Sequence, residues 1–331
     1  MSPELRTSIE KAARLVDGYI FARVQGEPAE IYEASLHLIR AGGKRLRPFI
    51  VLTVAQSLGA SVDKALPFAA AVELIHNFSL IHDDIMDRDE FRRGVPTVHK
   101  LWGEPFAILA GDLLFAKAFE VASDAVNMGL PPDRVVRGLH VLARASSTLA
   151  EGQALDMMFE ELEEVDVEDY MKLISKKTAA LFEASAVLGA IAATDSETVI
   201  SSLNLYGRSL GMAFQIRDDV LSFIGDESVT GKPKYNDLRA GKKTLPIIYA
   251  LSTLEGEDLE VLKAVLGNRE ASQEDLEKAA KLIESSGAIE YANREAEKFA
   301  RQAVEALKVI PDNEYRRLLE EVATFAATRM K

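Results

Sequence analysis

Apolar residues recur at spacings of three and four along almost the whole chain, and alternating β-branched runs bounded by turns are scarce. The pattern predicts an all-α protein. Breakers at Gly26-Glu27-Pro28, Gly42-Gly43, Gly94-Val95-Pro96, Pro131-Pro132, Gly225, Gly231-Lys232-Pro233 and Pro311 divide it into about ten to twelve helices. None of these breaks is long enough for an interdomain linker, so residues 1–331 read as a single bundle-like domain. The stretches 64–81, 104–122 and 179–193 are apolar on most faces, and helices of that kind are normally surrounded by others. They are expected to form a buried central group around a cavity, wrapped by amphipathic helices. The stretch 256–308 is the most charged and reads as a solvated outer face.

Composition narrows the class. Apolar residues make up 48% of the chain and charged residues 27%, which excludes wholesale disorder. Lys and Arg number 39 against 52 Asp and Glu, a net charge of -13 that repels nucleic acid and anionic membranes. No nucleic-acid partner is expected. The chain has no cysteine, so thiolate chemistry and disulfides are excluded, and a reducing compartment, the cytoplasm, is the expected location. The first residues carry charges throughout without an apolar leader core, and no eighteen apolar residues run uninterrupted. Neither secretion nor a transmembrane segment is expected.

Two acidic clusters carry the candidate chemistry. Asp83, Asp84 and Asp87 lie in the second half of a predicted helix, where the macrodipole disfavours carboxylates. Residues four apart share a face at about 6 Å along the axis. Two ionised carboxylates at that distance repel by about 3 kcal/mol at an effective dielectric near 20. Such a pair either raises a pKa or holds a cation. Magnesium suits the second option, because it accepts one or two carboxylates and completes its shell with water and substrate phosphate oxygens. Asp218 and Asp219 echo the first cluster at the end of another apolar run, which suggests two walls of one metal-filled mouth. On a helical wheel His76, Asp83 and Asp87 fall within about 40° of one another, although a lone histidine is more commonly a satisfied core residue.

Basic residues gather beside turns at Gly42-Gly43-Lys44-Arg45-Leu46-Arg47-Pro48, Arg92-Arg93-Gly94, Lys176-Lys177 and from Gly231-Lys232-Pro233 to Gly241-Lys242-Lys243. A single basic turn is ordinarily surface decoration. In an acidic chain with two aspartate clusters, however, forks, point charges and turn amides together suit a polyphosphate held on magnesium. The Gly-Gly-Lys turn lacks the spacing and preceding strand of a P-loop, which disfavours a nucleotide triphosphatase.

Taken in order, these motifs resemble those of the trans-isoprenyl diphosphate synthases. The shared elements are Gly-Gly-Lys-x-x-Arg-Pro at 42–48, the aspartate-rich 83–87 followed by Arg92-Arg93, Gly-Gln-x-x-Asp at 152–156, Lys177-Thr178, Phe-Gln-x-x-Asp-Asp at 214–219, and the Gly-Lys-Pro and Gly-Lys-Lys-Thr segments within 231–244. The resemblance covers about residues 30–250. It implies a helical homodimer that condenses isopentenyl diphosphate head-to-tail with an allylic diphosphate, using about three magnesium ions per site, for which manganese can substitute. It implies Asp83, Asp87 and Asp218 as metal ligands, supported by Asp84 and Asp219. Arg92, Lys177, Lys232 and Lys242 would bind the allylic diphosphate, and Lys44, Arg47, His76 and Arg93 isopentenyl diphosphate. Thr178 and Gln215 would stabilise the allylic cation, and Gln153 and Asp156 would orient the first metal wall. Ser222 departs from the pattern, standing where the second motif has its last aspartate.

Product length follows from the same resemblance. Phe78, five positions before Asp83, occupies the length-limiting position, Ser79 is small, and no two residues are inserted between Asp84 and Asp87. That combination resembles the archaeal-type geranylgeranyl diphosphate synthases and implies a twenty-carbon product. On an ideal wheel Phe78 lies about 140° from Asp83 and Ser79 only about 40° away, so ordinary core packing of Phe78 is the alternative. Farnesyl or twenty-five-carbon products stay open. A class I terpene cyclase would not need Lys44, Arg47 and Arg93 for a second diphosphate, and a silent regulatory subunit would not need both aspartate clusters.

Overall fold

The computed structural model describes residues 1–162, 164–224 and 235–329. Their fold is all-α, and strand is confined to one two-residue hairpin. The helices outnumber the ten to twelve expected, because short pieces such as α5 (Val98–Trp102) and α11 (Asn236–Ala240) form separate helices of little more than one turn. The chain divides into two compact units. One comprises Met1–Ser146, Leu181–Gly207 and Ala306–Glu321, the other Ser147–Ala180, Arg208–Glu305 and Val322–Lys331.

In the first unit, α4 (Val62–Met86) packs against α1 (Pro3–Arg23), α3 (Leu46–Ser57) and α6 (Glu104–Ser123). Phe68, Val72, Leu74 and Ile75 of α4 are fully buried, each contributing about 1.5–3 kcal/mol. Helix α4 is the one described helix long and apolar enough to cross a bilayer, but 72% of that window is buried inside the protein. Its apolar surface is covered by neighbouring helices.

Helix α6 departs from the expectation for the stretch 104–122. It buries Ala107, Ala110, Leu114 and Ala118, yet Ile108, Leu109 and Phe115 stand 46%, 51% and 36% exposed. The helix is apolar on two faces, and the chain covers one of them. At the other end of the sequence, the Ser2 hydroxyl caps α1 by accepting from the Leu5 amide at 3.1 Å, and donates to Glu321 at 2.7 Å.

The second unit contains α8 (Val167–Ile174), capped by Asp166, which accepts from the Asp169 amide at 2.8 Å. A π-helical turn, Ser175–Ala179, follows it. Helix α12 (Leu245–Thr253) packs on α8 and on α14 (Gln273–Ser285). The charged stretch 256–308 behaves as expected: α14 buries Leu276, Ala279 and Ile283, and α15 (Ala288–Ala306) buries Ala292, Ala296 and Ala303. Their charged residues lie on the other faces.

Candidate active site

In the first unit, the acidic cluster sits where the sequence puts it. Asp83 and Asp84 occupy the last turn of α4 and Asp87 is its C-cap. Asp83 is half-buried, Asp87 exposed and Asp84 buried. Asp84 differs from the other two in its partner. Its Oδ1 accepts from Arg92 Nε at 2.5 Å, while its Oδ2 is buried with no hydrogen-bond partner. Burial pushes its carboxyl up to about 6, against the pull of Arg92. Arg92 and Arg93 are delivered by a tight hairpin, β1 (Phe91–Arg92) and β2 (Val95–Pro96), whose two central residues, Arg93 and Gly94, have φ of 54° and 77°. Two positive φ values in succession are what a type I′ turn needs, and Gly94 adopts one of them without strain.

The phosphate-seeking residues of this unit share a second neighbourhood. The Gly42-Gly43-Lys44 turn joins α2 (Ala29–Arg40) to α3, with Lys44 exposed. Arg93 Nη1 donates to Leu38 O at 2.6 Å and Gly42 O at 2.5 Å. Arg47 Nη1 lies 3.3 Å from His76 Nε2, and its guanidinium stacks 4.3 Å over the Phe182 ring. Burial, with Arg47 and Arg93 nearby, holds the His76 pKa well below the usual imidazole range. The ring is therefore neutral, and since a guanidinium only donates, its Nε2 accepts from Arg47.

Phe78 faces α6. Its ring meets His82 edge-on at 4.9 Å and Phe115 at 5.2 Å, and Phe115 meets Phe119 at 5.2 Å, a row of aromatic rings along the α4–α6 seam. Ser79 is buried, its hydroxyl donating to His76 O at 2.8 Å.

In the second unit the motifs converge on the π-helical turn, which carries Lys177 and Thr178. Such turns widen a helix and are frequent at functional positions. Lys177 Nζ is paired with Asp156, and Lys176 with Glu151. Thr178 Oγ1 donates to Gln215 Oε1 at 2.7 Å, and Gln215 Nε2 donates to Asp219 Oδ1 at 2.8 Å. The Tyr170 hydroxyl donates to Asp219 Oδ2 at 2.6 Å. Asp219 thus ends a relay of side chains, and burial, reinforced by Asp237, pushes its carboxyl up to about 8. Gly152 on α7 (Pro132–Glu161) lets this arrangement close, because a Cβ there would lie 2.3 Å from the Lys177 backbone nitrogen. Gln153 beside it is buried.

Asp218, on α10 (Glu197–Ile224), is 44% exposed and pairs through Oδ1 with Arg329 at 2.6 Å. Arg329 also stacks 3.7 Å over the Phe214 ring and donates to Phe214 O at 3.0 Å. Ser222 donates to Asp219 O at 2.8 Å. Lys242 follows α11, its amide donating to Asp237 O at 2.9 Å. Lys232 lies outside the described residues.

Among the described residues, no three His, Asp or Glu side chains converge into a preformed cation cage. The donor set still suits magnesium: Asp83 and Asp87 offer oxygen ligands one turn apart, and this ion takes few carboxylates when phosphate supplies the rest. Asp84 Oδ1 is bonded to Arg92, and both Asp219 oxygens accept from side chains, so these two carboxylates are already engaged by their neighbours. The sequence pattern gives no role to Glu73, Tyr170 or Arg329, and counts Arg45 only within a basic turn. Glu73 carries a signal, being a lone carboxylate in an apolar helix, whereas Tyr170 and Arg329 belong to no motif.

The architecture is the all-α isoprenoid-synthase fold. A crystal structure of geranylgeranyl pyrophosphate synthetase from Pyrococcus horikoshii is similar with a TM-score of 0.93 and 45% identity, covering 98% of both chains. The polyprenyl synthetase family model matches residues 28–283, and the chain belongs to that family, as a prenyltransferase. Among similar curated proteins, a geranylfarnesyl diphosphate synthase of Aeropyrum pernix is 46% identical, covering 96% of this chain and 100% of that protein. A geranylgeranyl diphosphate synthase of Saccharolobus solfataricus is 44% identical over 90% of each.

Proposed function

We propose that the protein condenses isopentenyl diphosphate head-to-tail with dimethylallyl, geranyl or farnesyl diphosphate to give geranylgeranyl diphosphate. The observation that carries the reading is the presence of two distinct kinds of anion-handling group in the first unit. The acidic end of α4 suits magnesium, and the Lys44, Arg47, His76 and Arg93 group suits a diphosphate without metal. Two substrates, one bound through cations and one directly, are what a condensing prenyltransferase needs and a cyclase does not.

Asp83, Asp87 and Asp218 would hold magnesium, which supplies neutralisation of the charge growing on the departing diphosphate. Arg92, Lys177, Lys232 and Lys242 would bind that same diphosphate, with Asp156 holding Lys177 in place. As the allylic C1–O bond breaks, the Thr178 hydroxyl and Gln215 amide present fixed dipoles to the allylic cation, oriented by Asp219 and Tyr170. The isopentenyl double bond then attacks C1, and the released diphosphate takes the proton lost from the adjacent carbon. No side-chain nucleophile is needed. Apolar helix walls around the substrate tail would keep water from the cation.

The uncovered apolar face of α6, with Ile108, Leu109 and Phe115, supports a homodimer. The cysteine-free composition suits a cytoplasmic enzyme, and the whole chain is read as one catalytic domain. The test is to incubate the purified protein with labelled isopentenyl diphosphate, magnesium and each allylic primer separately, and to size the dephosphorylated products. A metal-dependent twenty-carbon alcohol is expected, and absence of elongation with every primer would refute the reading.

The aromatic row supports Phe78 as the length stop, since Phe115 and His82 hold its ring from two sides. Phe78→Ala is expected to lengthen the main product by at least one five-carbon unit, without loss of total incorporation. A product distribution identical to that of the unaltered protein would reduce Phe78 to ordinary seam packing. The Aeropyrum relative, named for a twenty-five-carbon product, favours that length as the second reading.

A further inference from the structure

A carboxylate in the apolar middle of α4 needs a reason. Glu73 is 2% exposed among Ala69, Ala70, Val72 and Leu74, and burying an ionised group there is costly unless it is paired. Its Oε1 lies 3.2 Å from Arg45 Nη1 and accepts from Asn77 Nδ2 at 2.8 Å. Asn77, so oriented, presents its Oδ1 to Arg93 Nη1 at 3.3 Å. Glu73 is thereby joined to two guanidinium groups, directly and through one amide.

Arg45 is the more constrained partner. It is 3% exposed and has left-handed backbone, φ 48°, which a non-glycine residue adopts only at a cost. Its Nη1 donates to Gly42 O at 2.8 Å and its Nη2 to Ile39 O at 2.6 Å. Its Nε donates to Asp17 Oδ1 at 2.7 Å on α1. These carbonyls belong to the end of α2 and the turn after it, where backbone acceptors lack helical partners. Gly42 O is shared, because Arg93 Nη1 also donates to it at 2.5 Å. The turn is packed straight onto both side chains: a Cβ on Gly43 would come within 2.7 Å of Arg45 Nη1 and 3.1 Å of Arg93 Cζ.

We propose that Arg45 and Glu73 are positioning residues for the isopentenyl diphosphate subsite, a buried ion pair that sets the Gly42-Gly43-Lys44 turn and the Arg93 guanidinium. The inference rests on the functional reading above, in which Lys44 and Arg93 bind that diphosphate. It makes a prediction opposite in sign to simple electrostatics. Neutralising Glu73 adds one net positive charge beside the subsite, and charge alone would tighten diphosphate binding. Loss of positioning weakens it.

The experiment is steady-state kinetics with each substrate varied in turn, on the full chain and on Glu73→Gln, with circular dichroism and thermal unfolding recorded for both. Glu73→Gln is expected to raise KM for isopentenyl diphosphate by about fivefold or more, while KM for the allylic primer and kcat stay within about twofold. Asp17→Asn, at the half-exposed outer end of the same network, is expected to raise the same KM by about two- to threefold. It decides the matter if Glu73→Gln does not fold. An isopentenyl diphosphate KM that is unchanged or lower in the folded variants would overturn the proposal. So would an equal rise in both KM values. Absence of elongation by the unaltered protein would instead overturn the reading on which it stands.

Discussion

Asp83→Ala is expected to lower elongation by a factor on the order of 10²–10³, the loss that follows removal of one preorganised contact to developing charge. The side chain stands half-buried in the last turn of α4, one turn from the exposed Asp87, and its neighbour Asp84 has its Oδ1 bonded to Arg92. Removing Asp83 leaves Asp87 as the one carboxylate on that helix end assigned to magnesium, Asp84 being bonded to Arg92, so magnesium affinity should fall with activity. Raising the magnesium concentration is expected to restore part of the rate. Direct metal titration in the presence of inorganic diphosphate gives the check: an unchanged metal affinity would mean that Asp83 is not a ligand. Helix α4 itself should persist, because its stability comes from Phe68, Val72, Leu74 and Ile75, several turns away.

Gly152→Ala is the second large effect, and it acts without touching a substrate. The added methyl would sit 2.3 Å from the backbone nitrogen of Lys177 and 2.6 Å from its Cα, so backbone must move. The turn that moves carries both the Lys177–Asp156 pair and the Thr178–Gln215 hydrogen bond. Displacement of reacting groups by about 1 Å can cost on the order of 100-fold in rate, and a loss of that size in kcat is expected. Overpacking of this kind also destabilises by about 1–3 kcal/mol, which a thermal melt would register. Full activity in a variant with a lowered melting temperature would show that the π-helical turn tolerates the shift.

The helical class, the breaks within the described residues and the helical placement of the two aspartate clusters were legible because each is written in local spacing. Residues three and four apart declare a helix, and Asp83 with Asp87 declare a shared face. What local spacing does not carry is which atoms a side chain ends up touching. Asp84 and Asp219 look like members of metal clusters in the sequence, and the fold gives them to Arg92, Tyr170 and Gln215. Tyr170 is separated from Asp219 by 49 positions, so no pattern around either residue announces their bond. Helix α6 misled for a different reason. An apolar residue reads the same whether its own chain buries it or leaves it exposed, so Ile108 and Leu109 looked like core. Glu73 was the one supporting residue open to detection, since a charge inside an apolar helix needs a partner wherever it falls.

Helix α4 also limits how such a protein can change over generations. Glu73, His76, Phe78 and Asp83 all ride the same continuous rod, so each holds its angle and height relative to the others through the helix backbone. A single inserted codon between Phe78 and Asp83 would rotate everything beyond it by about 100° and advance it by about 1.5 Å, turning the aspartates away from whatever they serve. Deletions would do the same in reverse. Heritable diversification of the segment from Glu73 to Asp83 therefore has to proceed by exchange of side chains at constant length, bulk for bulk, with Asp83 as its fixed origin.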